Sequence, residues 1–328
     1  MNIACCFFPT QIIMLDDNAK FLEAMKLALG KNNIIKIFKD PDEAIKYITE
    51  NVNTPFTRRC LHRPEEIKVN HRIIDVEVDA IAHEVYNAKR FMENTVIVID
   101  YAMPSMHGLE VCQALRHLPI KKIMLTGEAD DKIAVQAFNQ GLIHKFIRKG
   151  GPSAVVADAI LTLQRKYFID QSTIVIDSLT RNIDYPPSCL DDPVFMDFFN
   201  DFCEKQKYTE FYLLDAMGSF LFLDIDANPT FLMVKDEDGM QESFEMADLS
   251  DTPVPDGLLK SLKDKEKLLY FFDKTQQKTD PKTWDKYAHK TTKIVGRDNY
   301  YYAITNDSNL YNIKRDKILS YDEYLKSL

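Results

Sequence analysis

The chain has 328 residues, 45% hydrophobic and 28% charged, and its 41 basic against 50 acidic side chains give a formal charge of −9. These proportions exclude wholesale disorder and collagen-like sequence, and no apolar run reaches the roughly 18 to 20 residues that cross a bilayer. At roughly 100 to 200 residues per domain, the length predicts two domains.

The first nine residues, Met1 to Pro9, include a short apolar patch without the positive charge or cleavage site of a secretory signal, and are read as a short extension. Gln11-Ile12-Ile13-Met14-Leu15 then runs apolar and stops at Asp16-Asp17, the pattern of a central parallel strand ending at a functional edge. Asn18 could cap the helix 19–29, whose Phe21, Met25, Ala28 and Leu29 share a stripe before the stop at Gly30. A strand Ile34–Phe38 and a helix Pro41–Thr49 follow. Residues 50–94 break the rhythm, because α/β units usually join helix to strand with roughly 2 to 6 residues. Ile73–Val78 could extend within this insertion, and Asp79 could cap a helix through Val85 and Tyr86.

Thr95-Val96-Ile97-Val98-Ile99 is the clearest buried strand and ends on Asp100. Beyond it come helix Leu109–Leu118, strand Lys122–Leu125 ending at Thr126, and helix Asp131–Asn139. Strand Ile143–Ile147 ends near Lys149, and helix Ser153–Tyr167 closes the series. Five alternations of strand and helix predict a doubly wound parallel sheet with its site beyond the carboxyl ends of the strands. Those ends deliver Asp16, Asp17, Asp100, Thr126 and Lys149 to one edge. Three carboxylates there need a cation, and hard oxygen ligands suit Mg²⁺.

Ile99-Asp100-Tyr101-Ala102-Met103-Pro104-Ser105-Met106-His107-Gly108-Leu109-Glu110 resembles the phosphoacceptor loop of two-component response regulators, and the likeness covers residues 10–168 around the insertion. It implies a flavodoxin-like five-stranded receiver domain in which Asp100 takes a phosphoryl group from a sensor histidine kinase. It further implies that Asp17 binds Mg²⁺ directly, Asp16 through water, and Ala102 through its backbone carbonyl. Lys149 and Thr126 would contact phosphoryl oxygens, and Phe146 matches the aromatic switch position. The only catalysis implied is the receiver's own phosphorylation and dephosphorylation.

Two departures from the family pattern matter. Lys149 is followed by Gly150-Gly151-Pro152 instead of directly by proline, so a trans peptide is expected and Lys145 stands as the fallback lysine. Ala102 offers no polar side chain to orient a hydrolytic water, so a long-lived phosphoaspartate is expected. Phe146 reads equally well as ordinary core and His107 as a solvated loop residue, while Cys112, on the inward side of its helix, is most simply core.

Residues 169–190 read as a connector, with Tyr185-Pro186-Pro187 as its strongest breaker. The second domain, 191–328, opens on a helix from Asp191-Asp192-Pro193 with Phe195, Phe198, Phe199 and Phe202 on one stripe, read as core with a dimer helix as the lesser reading. Glu210–Leu214, Ser219–Leu223, Thr230–Val234 and Gln241–Met246 read as a meander of short strands. A helix over 257–272, another at Trp284–Ala288, a hairpin of Thr292–Val295 with Tyr300–Ile304, and a helical 311–328 complete an α+β domain with an antiparallel sheet. The Glu210 to Asp224 stretch behind such an interrupted receiver resembles the quorum-sensing response regulators of Legionella, which implies a role in growth-phase and virulence control.

Residues 1–170 carry 22 basic and 21 acidic side chains, whereas 171–328 carry 19 and 29. A net −10 in the second half disfavours a nucleic-acid face. The densest basic stretch, Arg58-Arg59-Cys60-Leu61-His62-Arg63, is read as a solvated loop. No CxxC pair occurs among the six cysteines, so a reducing cytoplasm is the expected setting and no membrane is involved. The leading expectation is a response regulator acting through a homodimer or a protein partner. Alternatives are an output that binds or cuts nucleic acid, with Asp215, Asp224 and Glu237 as a nuclease-type metal set, and a PAS-like ligand sensor. Asp224 and Asp226 read as a solvated turn instead of a calcium loop.

Overall fold

A computed structural model of the chain describes residues 3–52, 61–62, 75–76, 78–127, 131–180, 189–272, 274–307 and 313–328. The chain divides into two compact units that interleave in sequence. One gathers Phe7–Pro55, Ala88–Gln171 and Tyr324–Leu328; the other gathers Met1–Cys6, Phe56–Asn87 and Ser172–Glu323. Most of the segment inserted after the second helix therefore belongs to the unit built from the C-terminal half.

After a two-residue strand β1 (Cys6–Phe7), the first unit alternates β2 (Gln11–Leu15), α1 (Ala19–Leu29), β3 (Ile34–Phe38) and α2 (Pro41–Glu50). The insertion contributes α3 (Val78–His83), and the alternation resumes with β4 (Asn94–Asp100), α4 (Gly108–Ala114), β5 (Lys121–Thr126), α5 (Asp131–Asn139), β6 (Lys145–Arg148) and α6 (Ser153–Thr180). The sheet is parallel in the order β3-β2-β4-β5-β6, the flavodoxin-like arrangement. Its central strands β2 and β4 run apolar through Ile12–Leu15 and Val96–Ile99 because both of their faces are covered. Ile13, Leu15, Ile97 and Ile99 pack with Ala44, Val111 and Ala137 on one side. Ile12, Met14, Val96 and Val98 pack with Leu22, Met25, Ala159 and Leu163 on the other.

Helix α6 continues well beyond Tyr167, to Thr180. Phe168, Ser172 and Val175 are buried at helical spacing, and neither Gly nor Pro interrupts them, so the first part of the expected connector is helical. The Tyr185-Pro186-Pro187 breaker lies outside the described residues. In the insertion, Asp75–Val76 pairs antiparallel with Leu61–His62, and Val78 already belongs to α3. Ile73 and Ile74, and the basic stretch apart from Leu61 and His62, lie outside the described residues.

The second unit holds a separate sheet. Following α7 (Pro193–Gln206) come β7 (Glu210–Leu213), β8 (Phe220–Leu223), β9 (Pro229–Lys235), α8 (Glu237–Asp248), α9 (Asp256–Lys263), β10 (Lys267–Leu269), β11 (Ala288–Lys290), β12 (Thr292–Val295) and β13 (Asn299–Thr305). The six-stranded order is β1-β7-β8-β9-β13-β12, antiparallel from β7 to β12. Asp192 caps α7, and the Phe stripe lies on the sheet: Phe199 sits 4.6 Å from Phe220, and Phe198 4.6 Å from Tyr302. Burial of each such ring contributes roughly 1.5–3 kcal/mol, which accounts for the stripe as core.

Four expectations for this unit are corrected. Gln241–Met246 is helical, within α8, because Asp236 caps Gly239 and buried Met240, Ser243 and Ala247 recur at a period near 3.6. The helix expected over 257–272 ends at Lys263; Lys265 turns left-handed at φ 56°, and Lys267–Leu269 becomes a strand against Ala288–Lys290. Trp284 lies in a 3₁₀ turn, Pro281–Tyr287, whose successor Ala288 opens that partner strand. At the C-terminus the described residues form a 3₁₀ turn, Arg315–Lys317, and a short helix α10 (Tyr321–Lys326) instead of a continuous helix. Among the described residues no helix is long and apolar enough to cross a membrane.

Candidate functional site

The parallel order of the first sheet sets the carboxyl ends of β2, β4, β5 and β6 side by side. Just beyond β2, Asp16 turns one carboxylate oxygen, Oδ1, back to accept the Asn18 amide at 2.9 Å. Asn18 in turn caps α1 by accepting from the Phe21 amide. That turn fixes the orientation of Asp16 and leaves Oδ2 facing the sheet edge. Asp100, the last residue of β4, is 4% exposed and accepts from the Ala102 amide.

Lys149 follows β6, and its amide donates to the Thr126 carbonyl at 2.9 Å. Its Nζ stands 2.8 Å from Asp16 Oδ2 and 2.8 Å from Asp100 Oδ2, over the face of Phe21 at 5.1 Å. Lys145, by contrast, pairs with Asp158 at 4.0 Å. No cis peptide occurs among the described residues, and Gly150 takes up the turn after the lysine at φ 89°. Burial pushes the Asp100 carboxyl up, and Lys149 only partly offsets that. Burial alone would lower Lys149, but its hydrogen bonds to Asp100 and Asp16 raise it.

Asp17 completes the acidic group: one ligand oxygen each from Asp16, Asp17 and Asp100 lie within 4.8 Å of one another. With a single ammonium beside them, two negative charges stay uncompensated. Thr126 Oγ1, on a residue 1% exposed, has no hydrogen-bond partner, and Asp16 Oδ2 has only the Lys149 contact. Orphaned buried oxygens of this kind ask for a further ligand. The donor set, all hard oxygens, fits Mg²⁺.

The structure thus brings Lys149 into direct contact with Asp16 and Asp100, places Asp17 within metal-ligand reach of both aspartates, and sets Thr126 at the end of the neighbouring strand. Phe146 lies apart on β6, half-buried against the α4–α5 side, its ring edge-to-face with Phe138 at 6.4 Å. Two contributors carry little signal in the sequence. A Cβ on Gly108 would come within 2.4 Å of the Asp100 carbonyl oxygen, so the loop closes only over glycine. Phe21, read from its period as core, also stacks on the lysine. His107 stacks on Tyr101 at 5.6 Å, and its amide donates to Glu110.

In the other unit, Asp215, Asp224 and Glu237 do not assemble. Asp215 accepts from the Met217 and Ser219 amides and Tyr270 OH; Asp224 closes its own turn onto Asp226 and Asn228; Glu237 binds Tyr301 and Lys265. Asp16, Asp17 and Asp100 form the one acidic cluster with metal-ligand spacing among the described residues.

A doubly wound parallel sheet with aspartates at two strand ends and a lysine between them is a receiver, and the chain belongs to the response-regulator family. The family model for the response regulator receiver domain matches residues 66–160. That match begins inside the insertion and leaves Asp16 and Asp17 outside, although the fold returns them to the same sheet edge. Over nearly its whole length the chain is similar to the Legionella pneumophila response regulator LqsR: 34% identity, 99% of this chain and 96% of that one, with a TM-score of 0.81. A response regulator receiver domain protein from Clostridium thermocellum is 16% identical over 51% of this chain and 98% of its own, at a TM-score of 0.33. The Francisella response regulator 1452 receiver domain is 15% identical over 48% and 98%, also at 0.33. No curated protein sequence matches the chain.

Proposed function

We propose that this response regulator is switched by phosphorylation of Asp100 by a sensor histidine kinase, and that its C-terminal unit acts through homodimerisation or a protein partner. The observation that carries the proposal is Lys149 Nζ held at 2.8 Å from both Asp16 and Asp100 beside an unpartnered Thr126 hydroxyl. Asp100 supplies the nucleophilic oxygen: a P–O bond forms in line as the phosphorus–nitrogen bond to the kinase histidine breaks. Lys149 then meets the added negative charge and Thr126 Oγ1 donates to a phosphoryl oxygen. Asp16, Asp17, Asp100 and the Ala102 carbonyl would hold Mg²⁺, which supplies charge neutralisation on the transferring group. Movement of Thr126 toward the phosphoryl group would let Phe146 repack. Resemblance to the Legionella regulators supports a quorum-sensing pathway in the cytoplasm.

The test is intact-mass analysis of the purified full chain with acetyl phosphate and Mg²⁺. Wild type gains one phosphoryl group and Asp100→Asn gains none. An unlabelled wild type, or a labelled Asp100→Asn, refutes the assignment. Gel filtration of the same samples separates the two output modes, since an unchanged oligomeric state removes the homodimer form.

A further inference from the structure

The unit formed by the insertion and the C-terminal half contains a cavity of about 560 Å³. That lies within the roughly 300–1,000 Å³ of small-molecule sites. Every residue lining it belongs to this one unit. We propose that it binds a small organic anion with an apolar body, and that the segment inserted into the receiver exists in part to build its wall.

The insertion contributes α3 and the turn after it. Ile81 and Ala82 are buried and α3 packs against β7, which brings Ala82 into the cavity beside the buried Leu214. Phe272 and Ile313 complete an apolar lining. Burial of a ligand's hydrocarbon against this surface gains about 25 cal/mol per Å². A purely hydrated inorganic ion gains nothing from it.

The polar groups are unevenly signed. Lys314 and Lys317 both line the opening, three residues apart across the 3₁₀ turn Arg315–Lys317, a spacing that places side chains on the same side of such a turn. Neither ammonium makes an ion pair with a described residue. Asp79 is the one lining carboxylate, so two like-charged lysines face a single acid and an anionic head group relieves their repulsion. Tyr86 OH accepts the Lys314 amide at 3.2 Å, tying the insertion to the lysine-bearing segment across the cavity. His83 Nδ1 lies 2.7 Å from the Asp79 carbonyl, so in the neutral ring that nitrogen carries the proton and Nε2 is an acceptor.

The probes are 8-anilinonaphthalene-1-sulfonate, an apolar body with one anionic head, and octanoate as its competitor, titrated into the full chain without phosphodonor. The result is then independent of whether Asp100 accepts a phosphoryl group. One-site fluorescence binding is expected, displaced by octanoate but by neither octanol nor inorganic phosphate. The double variant Lys314→Glu/Lys317→Glu reverses two exposed charges that form no ion pair with a described residue and keeps the wild-type melting curve; its affinity falls at least about tenfold. Calorimetry with octanoate reads the same loss without a dye. Absence of binding, binding indifferent to the double variant, or displacement by octanol or phosphate as good as by octanoate overturns the proposal.

Discussion

Lys149 Nζ lies 2.8 Å from Asp100 Oδ2, and that contact is what keeps a 4% exposed aspartate chargeable at the sheet edge. Removing the lysine leaves Asp16 and Asp100 facing each other without a cation. The Lys149→Ala variant is therefore expected to lose roughly 2 kcal/mol, less than the 3–5 of a fully buried pair because solvent reaches the lysine. Mg²⁺ should restore more of the melting temperature in this variant than it adds to wild type. Asp100→Asn moves the other way, because it removes a carboxylate that burial disfavours. Melts with and without Mg²⁺ check all three, and a Lys149→Ala chain as stable as wild type in chelator refutes the account.

Persistence of the phosphorylated state is the next expectation. Ala102 donates its amide to Asp100 but has no side-chain group to orient water for attack on phosphorus. Loss of one water-positioning contact costs roughly tenfold or more in rate. Phosphoryl label on Asp100 should therefore outlast seconds in Mg²⁺ buffer, and Ala102→Asn should shorten its lifetime by about tenfold. A wild-type lifetime of seconds, or an Ala102→Asn lifetime equal to wild type, contradicts this.

The receiver was legible in the sequence because parallel strands buried on both faces show as apolar runs, and four of the five, all but Ile34–Phe38, stop within two residues of a candidate-site side chain. Phe21 was legible only as core, since stacking on Lys149 leaves no trace in periodicity. Gln241–Met246 reads as a strand when taken alone; Asp236 as a cap three residues before Gly239 is the signal that settles a helix. Leu258 and Leu262 continue in phase toward Leu269, so the break at Lys265, a non-glycine residue at φ 56°, carries no local warning. The grouping of Phe56–Asn87 with Ser172–Glu323 depends on contacts more than 80 residues apart in sequence, such as Tyr86 with Lys314, which no local pattern encodes.

His144 gives the receiver an acid-sensitive element. Its Nδ1 accepts the Lys122 amide at 3.1 Å, and burial, with Lys121 and Lys122 nearby, holds its pKa down at about 4. The unfolded chain protonates this histidine near pH 6.5 while the folded chain resists, so the unfolded state binds more protons between pH 6.5 and 4. Stability is thus complete above about pH 6.5 and declines as pH falls toward 4, by about 2 kcal/mol once partial solvent access is allowed for. Urea denaturation at pH 7.5 and 5 measures it. His144→Asn, which keeps an acceptor but cannot titrate, should flatten the dependence, and an equal decline in that variant assigns it elsewhere.

Asp192 is the corresponding pin of the second unit. It is fully buried, caps α7 through the Val194 amide at 2.8 Å, and also accepts from the Arg297 amide and, at 3.0 Å, from Tyr300 OH. Burial pushes its carboxyl up, but these three donors outweigh it and leave the pKa lowered. A lowered carboxyl contributes stability that is present above the unfolded pKa and lost as pH falls through the folded one. The β12–β13 turn closes over this carboxylate so tightly that a Cβ on Gly296 would stand 2.3 Å from Asp192 Oδ2. Asp192→Ala deletes a helix cap and strands two further donors, for a loss of roughly 3–4 kcal/mol. Gly296→Ala should lose roughly 1–3 kcal/mol by forcing the turn off the carboxylate. The two changes act on one contact, so the double variant should lose clearly less than the sum of the singles, and additive losses in urea denaturation would show that Gly296 and Asp192 act separately.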